Sequence, residues 1–191
     1  MEKVLHRCGW AEKHPLEQVY HDTEWGIPVH DDRKLFKMLI LEGQQAGLSW
    51  LTVLKKMDGL CAAYEDFDPL LLCRYDEDKI QQLLQDNRII KNQSKIRAAV
   101  HNARCYFSLC EKHGSLDAFL WRYVDFKPVL NRWEELSQIP AGTPLSDAVS
   151  KDLKKLGFKF VGTTTIYAFM QAVGMVNDHL LSCSFRSFRN E

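Results

Sequence analysis

The run Leu41-Glu42-Gly43-Gln44-Gln45-Ala46-Gly47-Leu48-Ser49-Trp50 sets a single carboxylate in an otherwise uncharged stretch of amides, glycines and a tryptophan. The preceding Leu35-Phe36-Lys37-Met38-Leu39-Ile40 reads as an apolar helix begun by Asp31 or Asp32, so Glu42 falls near the end of a buried element. An unpaired carboxylate is expensive to bury, and such a group takes a partner inside the protein or in a ligand. A glutamate beside a flat aromatic ring suits a planar polar or cationic ligand, which stacks on the ring and hydrogen-bonds through an edge. From this run alone an internal role stays open: Glu42 on a backbone amide, Trp50 filling the core.

A second chemistry lies at the two ends of the chain. His179 and Cys183 are four residues apart, a spacing that lets both face one ligand on a helical turn, and Cys8 and His21 supply two further donors. Two thiolates and two imidazoles form a zinc ligand set, and four protein ligands imply a closed structural site. The Cys8 to His21 interval is not a finger spacing, so two terminal cysteines and two surface histidines are the alternative. Cys61, Cys73, Cys105 and Cys110 lie among apolar residues, where cysteine serves as a small core side chain.

A third segment, Lys154-Lys155-Leu156-Gly157-Phe158-Lys159-Phe160-Val161-Gly162-Thr163-Thr164-Thr165, sits between two helical patterns. Its glycines bracket a tight apolar turn, and a helix starting after Gly162 directs backbone N–H groups and threonine hydroxyls at an anion the size of a phosphate. Lys151, Lys154, Lys155 and Lys159 add local positive charge. The alternative is an ordinary helix turn with solvated lysines. The arrangement resembles the helix-hairpin-helix element of base-excision DNA glycosylases.

The elements that must hold these residues are helical almost throughout. Helices are expected over 15–24, 32–45, 49–64, 69–74, 77–85, 93–112, 116–124, 147–156 and 163–173. Asp68, Ser115 and Ser146 are expected N-caps, and Gly114, Gly157 and Gly174 expected stops. The stretch 125–145, with Pro128, Pro140 and Pro144, reads as irregular surface cover. The expected class is all-α, as one unit over 1–191. Lys plus Arg equals Asp plus Glu at 25 each, so any nucleic-acid contact must come from a local basic patch. No signal-peptide core or membrane-length apolar run is evident, and the cysteines show no disulfide framework, which points to a cytoplasmic protein.

Together, Arg7-Cys8-Gly9-Trp10, Tyr20-His21-Asp22, Glu24-Trp25-Gly26, Leu41 to Trp50, Gly157 to Thr164 and Asn177-Asp178-His179 resemble the DNA-3-methyladenine glycosylase I family of bacteria, over nearly the whole chain. The resemblance implies an all-helical member of the helix-hairpin-helix glycosylase superfamily. Its helix-hairpin-helix element would cover about 147–174, and a zinc-binding lobe would be built from both termini. By resemblance Cys8, His21, His179 and Cys183 are ligands of one structural zinc ion. Glu42 and Tyr20 are the catalytic pair, Trp50, Trp10 and Trp25 bind the excised base, and Gly162, Thr163, Thr164 and Lys159 contact DNA. Glu17 stands where relatives often carry tyrosine, and Asn177 where many of the superfamily carry a catalytic aspartate. Thr164 holds the place of the Schiff-base lysine of bifunctional relatives.

The implied activity is monofunctional release of 3-methyladenine from alkylated double-stranded DNA by a monomer with no membrane contact, leaving an abasic site and free 3-methyladenine. A segment between Gln44 and Leu48 is expected to fill the gap left by the flipped nucleotide. The competing readings are a zinc-stabilised DNA-binding module that recognises alkylated bases without cleaving them, and a zinc hydrolase acting through the four ligands.

Overall fold

In the computed structural model, residues 5–186 are described. Among these residues ten α-helices run in order: α1 Pro15–Thr23, α2 Asp32–Gln45, α3 Trp50–Leu54, α4 Met57–Ala63, α5 Pro69–Leu72, α6 Glu77–Gln85, α7 Gln93–His113, α8 Leu116–Trp121, α9 Pro144–Lys155 and α10 Thr163–Ala172. The only strands among the described residues are β1 Val129–Leu130 and β2 Val176–Asn177, paired in parallel. No helix among them is long and apolar enough to cross a membrane.

The centre is α2. The Asp31 side chain caps it by accepting from the Lys34 N–H at 2.8 Å. Asp32, one residue on, accepts from the Leu116 and Asp117 backbone N–H groups at 3.1 and 2.8 Å, and so tethers the start of α8 to the start of α2. Leu35, Phe36, Leu39, Ile40 and Leu41 are buried along α2, which meets α7, α8 and α10. Each such aliphatic or aromatic side chain contributes roughly 1.5–3 kcal/mol by leaving water. The final turn of α2 is buried too, although it carries Glu42 and Gln44.

Among several departures from the expected boundaries, including α5 and α8 ending early at Leu72 and Trp121, two show their cause. The single helix expected over 49–64 breaks at Lys55 and Lys56 with neither proline nor glycine at the break. The Lys56 N–H stays bonded to the Val53 carbonyl at 3.0 Å, so redirecting the chain leaves little backbone unsatisfied. In α9 the N-cap is Thr143, not Ser146: Pro144 opens the helix, and Ser146 completes a reciprocal capping box. A turn-forming proline and a helix-starting one look alike in a proline-rich stretch.

The expected stops do end helices, with Gly114, Gly157 and Gly174 all at positive φ. At Gly174 a Cβ would also strike the Ile27–Pro28 backbone, which fixes α10 against the chain leaving α1.

Candidate functional site

A pocket of about 400 Å³ opens where α1, α2, α3 and α10 converge, lined by Trp10, Tyr20, Trp25, Glu42, Gln45, Trp50, Leu136, Ile139, Ala168 and Gln171. All five base-pocket residues expected from sequence lie in this one wall. Tyr20 and Trp50 meet with ring centroids 5.1 Å apart, and Trp10 meets Trp25 edge-on at 5.1 Å. The wall is mostly flat aromatic surface. Glu17 does not join the lining.

The polar atoms of this pocket are costly as they stand. The Tyr20 hydroxyl, Glu42 Oε2 and Trp50 Nε1 are buried and have no hydrogen-bond partner among the described residues. A buried unsatisfied group costs about 1–3 kcal/mol, and more when charged. Glu42 responds by holding its proton: burial away from water pushes its carboxyl up to about 8. Burial, and then the neighbouring Glu42, raises Tyr20 as well. Three unsatisfied polar atoms in an aromatic slot are what a flat ligand with polar edges would complete.

The chain leaving α2 is locked by a residue that gave no sequence signal. Lys95 of α7 is buried and donates to the Gln44 and Ala46 carbonyls at 2.8 and 2.7 Å, with burial lowering its ammonium. This clamp fixes the exit from α2, beyond which Gly47 and Leu48 are exposed. Of the segment expected to fill a DNA gap, Gln44 is buried, whereas Gln45 and Leu48 both line a second cleft with Thr164 and Thr165. Glu42, Gln45 and Ala168 line both cavities, so the aromatic pocket adjoins the cleft at the start of α10.

The turn between α9 and α10 is built as the sequence suggests at Phe158 and Val161, which are buried. Its lock is Asn102 of α7, whose side chain donates to the Lys159 carbonyl at 2.9 Å and accepts from the Lys159 N–H at 2.8 Å. Ser150 donates to the Val161 carbonyl at 2.6 Å. Gly43 of α2 lets the turn approach: a Cβ there would press on Phe160 at 3.2 Å. Gly162 is the N-cap of α10, and a Cβ on it would meet only open space. The Thr163 hydroxyl is engaged internally with Ser146 at 2.7 Å, which leaves Thr164 and Lys159 as the exposed side chains.

Cys8, His21, His179 and Cys183 are all buried and come together, with one donor atom from each within 4.8 Å of the rest. Cys183 Sγ lies 3.3 Å from His179 Nδ1 and 3.6 Å from His21 Nε2, and Cys8 Sγ lies 3.7 Å from His179 Nδ1. Sulfur and nitrogen on neighbouring corners of a tetrahedral zinc site stand about 3.5 Å apart, from bond lengths near 2.3 and 2.0–2.1 Å. The cluster therefore has the chemistry and spacing to hold a metal ion. Cys8 donates to Cys183, which holds Cys183 down as the thiolate and pushes Cys8 up; a dication would favour both thiolates. Behind His21, Asp22 sits 2.8 Å from Nδ1 and is itself held by Arg7 at 2.7 Å, an outer layer that orients the ring.

The Cys/His cluster and the pocket have no residue in common but touch through aromatic rings. The His179 and Trp25 rings lie 4.6 Å apart and those of His21 and Trp10 5.4 Å apart. Asn177 is buried and accepts from the His179 N–H at 3.2 Å, while Asp178 turns to other partners and does not line the pocket.

A family model described as methyladenine glycosylase matches residues 10–187 of this chain. DNA-3-methyladenine glycosylase 1 of Escherichia coli strain K12 is 48% identical over 179 residues, 94% of this chain and 96% of that protein. A crystal structure of a 3-methyladenine DNA glycosylase I superposes with a TM-score of 0.91 at 48% identity, covering 94% of this chain and 98% of that one. A tyrosine-to-phenylalanine variant of such an enzyme, in complex with 3-methyladenine, superposes at 0.91 with 37% identity over 94% and 97% of the two chains.

Proposed function

Since the chain belongs to the methyladenine glycosylase family, we propose that it is a monofunctional DNA glycosylase that flips 3-methyladenine out of alkylated duplex DNA and releases it by hydrolysis. The observation that carries this reading is the set of three unsatisfied buried polar atoms, on Tyr20, Glu42 and Trp50, in one aromatic pocket. A flipped base is read by stacking and by hydrogen bonds to its edges, and flipping is cheapest for a damaged base.

Methylation at N3 makes the adenine cationic, so the leaving group needs no strong acid. Trp50 stacks on the base, and Glu42 and Tyr20 take its polar edge, with Trp10 and Trp25 closing the slot. The cation gives Glu42 the positive neighbour it lacks, so the carboxyl can ionise as the lesion enters. The C1′–N bond then breaks with its electron pair going to the base, which departs neutral; water adds to C1′ and gives up a proton. Asn177 in place of an aspartate fits a site that relies on the lesion's own reactivity.

Gly162, Thr163, Thr164 and Lys159 belong to a helix-hairpin-helix element, about 147–174, that seats DNA phosphates on backbone N–H groups without reading sequence. Thr163 serves through its N–H, since Ser146 occupies its hydroxyl. Gln45, at the end of α2, and Leu48, on the exposed loop that follows it, are the side chains placed to fill the gap. In the Cys2His2 cluster the ion is zinc, one per chain, tying the N-terminal segment to the C-terminal one in a single unit. When bound it supplies a structural cross-link, and full coordination leaves no position for catalytic water. In this reading the protein works as a monomer in the bacterial cytoplasm.

Strand chemistry tests the assignment. A bifunctional enzyme needs an amine that forms an imine with the sugar, and Thr164 cannot. Incubation with alkylated duplex should yield abasic sites that break only after alkali, and borohydride should trap no enzyme–DNA adduct. Failure to generate abasic sites would favour a binding module, and an adduct lost on substituting Lys159 would overturn the monofunctional reading.

A further inference from the structure

Gln171 lies on α10 one turn beyond Ala168, and both line the pocket. Its amide is already committed at one end: Nε2 donates to Asp178 Oδ2 at 2.8 Å. Asp178 is 1% exposed and also accepts from the Tyr167 hydroxyl at 2.6 Å, Asn131 Nδ2 at 2.7 Å and Trp133 Nε1 at 2.8 Å. The Asp178 oxygens accept from all four of these groups, so the amide end that meets them is the NH2 group. Donors from α10 and from the irregular stretch after β1 hold this carboxylate from both sides, so it cannot turn without breaking several bonds. The carbonyl of Gln171 is the end left for the pocket.

We propose that Gln171 Oε1 is a fixed hydrogen-bond acceptor that reads the exocyclic amino group of the base, making Gln171 a specificity-determining residue for 6-amino over 6-oxo purines. The proposal rests on the assignment of this pocket to the excised base. A 6-oxo purine would set its carbonyl against that of Gln171, leaving two desolvated acceptors with no proton between them. Glu42 is less able to make the distinction. Its carboxyl is raised to about 8, so both protonation states lie within reach, and the protonated form offers a donor as well as an acceptor. An amide pinned by Asp178 has no such freedom.

The test uses two free bases, 3-methyladenine and 3-methylhypoxanthine, titrated by calorimetry into the full-length parent and into Gln171→Met, which keeps the side-chain length. The parent should prefer 3-methyladenine by about tenfold or more, the scale of one mismatched hydrogen bond in a buried site. The variant should lose about tenfold for 3-methyladenine and little for the 6-oxo base, so that the preference collapses. A variant that keeps the parent's ratio would overturn the role of Gln171 and leave the pocket assignment standing. A parent that binds both bases alike would overturn it with no variant needed. A parent that binds neither would sink the pocket assignment, and the proposal with it.

Discussion

Cys183→Ser is expected to lower the melting temperature by roughly 6–20 °C. Its thiolate lies 3.3 and 3.6 Å from the two histidines, inside a cluster with no exposed member. Removing one partner from a buried charged set costs about 3–5 kcal/mol, and in a chain of this length each kcal/mol shifts the midpoint by about 2–4 °C. Elemental analysis should find one zinc per parent chain and much less in the variant. The loss should spread to the pocket, because Trp25 and Trp10 rest on His179 and His21, so affinity for 3-methyladenine should fall too. Metal-free parent protein with an unchanged midpoint would contradict the structural role of the ion.

Glu42→Gln should weaken 3-methyladenine binding and excision while stabilising the protein. The lost charge-assisted hydrogen bond is worth about 1.5–3 kcal/mol, or roughly ten- to more than a hundredfold in affinity. Stability moves the other way because the folded state raises this carboxyl from 4.5 to about 8. The proton is bound more tightly in the folded chain than in the unfolded one. The contribution is therefore complete below pH 4.5 and is lost as pH rises through about 8, to a total of up to about 5 kcal/mol. Denaturant titrations at pH 6 and pH 9 should show the parent losing stability across this window and Glu42→Gln losing less. Parallel pH dependence in the two proteins would return Glu42 to a satisfied structural role. A carboxyl kept at such cost fits a residue placed for a ligand rather than for the fold.

What could be read from sequence follows how local each determinant is. The limits of α2 were legible because Asp31 caps it and Leu35, Phe36, Leu39 and Ile40 repeat with helical spacing. The burial of Glu42 followed from its place at the end of that pattern. The break between α3 and α4 was not legible, since the apolar pattern runs through it and the cause is tertiary packing. The four candidate metal ligands are split between the two ends of the chain, more than 150 residues apart, so their convergence had to come from resemblance rather than spacing. Leu136 and Ile139 went unseen because irregular stretches have no periodicity, yet they form part of the pocket wall. Lys95 and Asn102 are single polar residues with bland surroundings in sequence, and Asp178 lies in a motif that does not reveal its partners, which are distant side chains. Resemblance named residues that line one pocket; the groups that hold them in place needed coordinates.

The most direct measurement is chromatographic identification of the base released when purified protein is incubated with N-methyl-alkylated duplex DNA. Free 3-methyladenine should appear far faster than its spontaneous loss, with 7-methylguanine left in the DNA because the pocket selects a flipped adenine cation. Tight binding to the alkylated duplex with no base released above the spontaneous rate would contradict the account and leave a recognition module in its place.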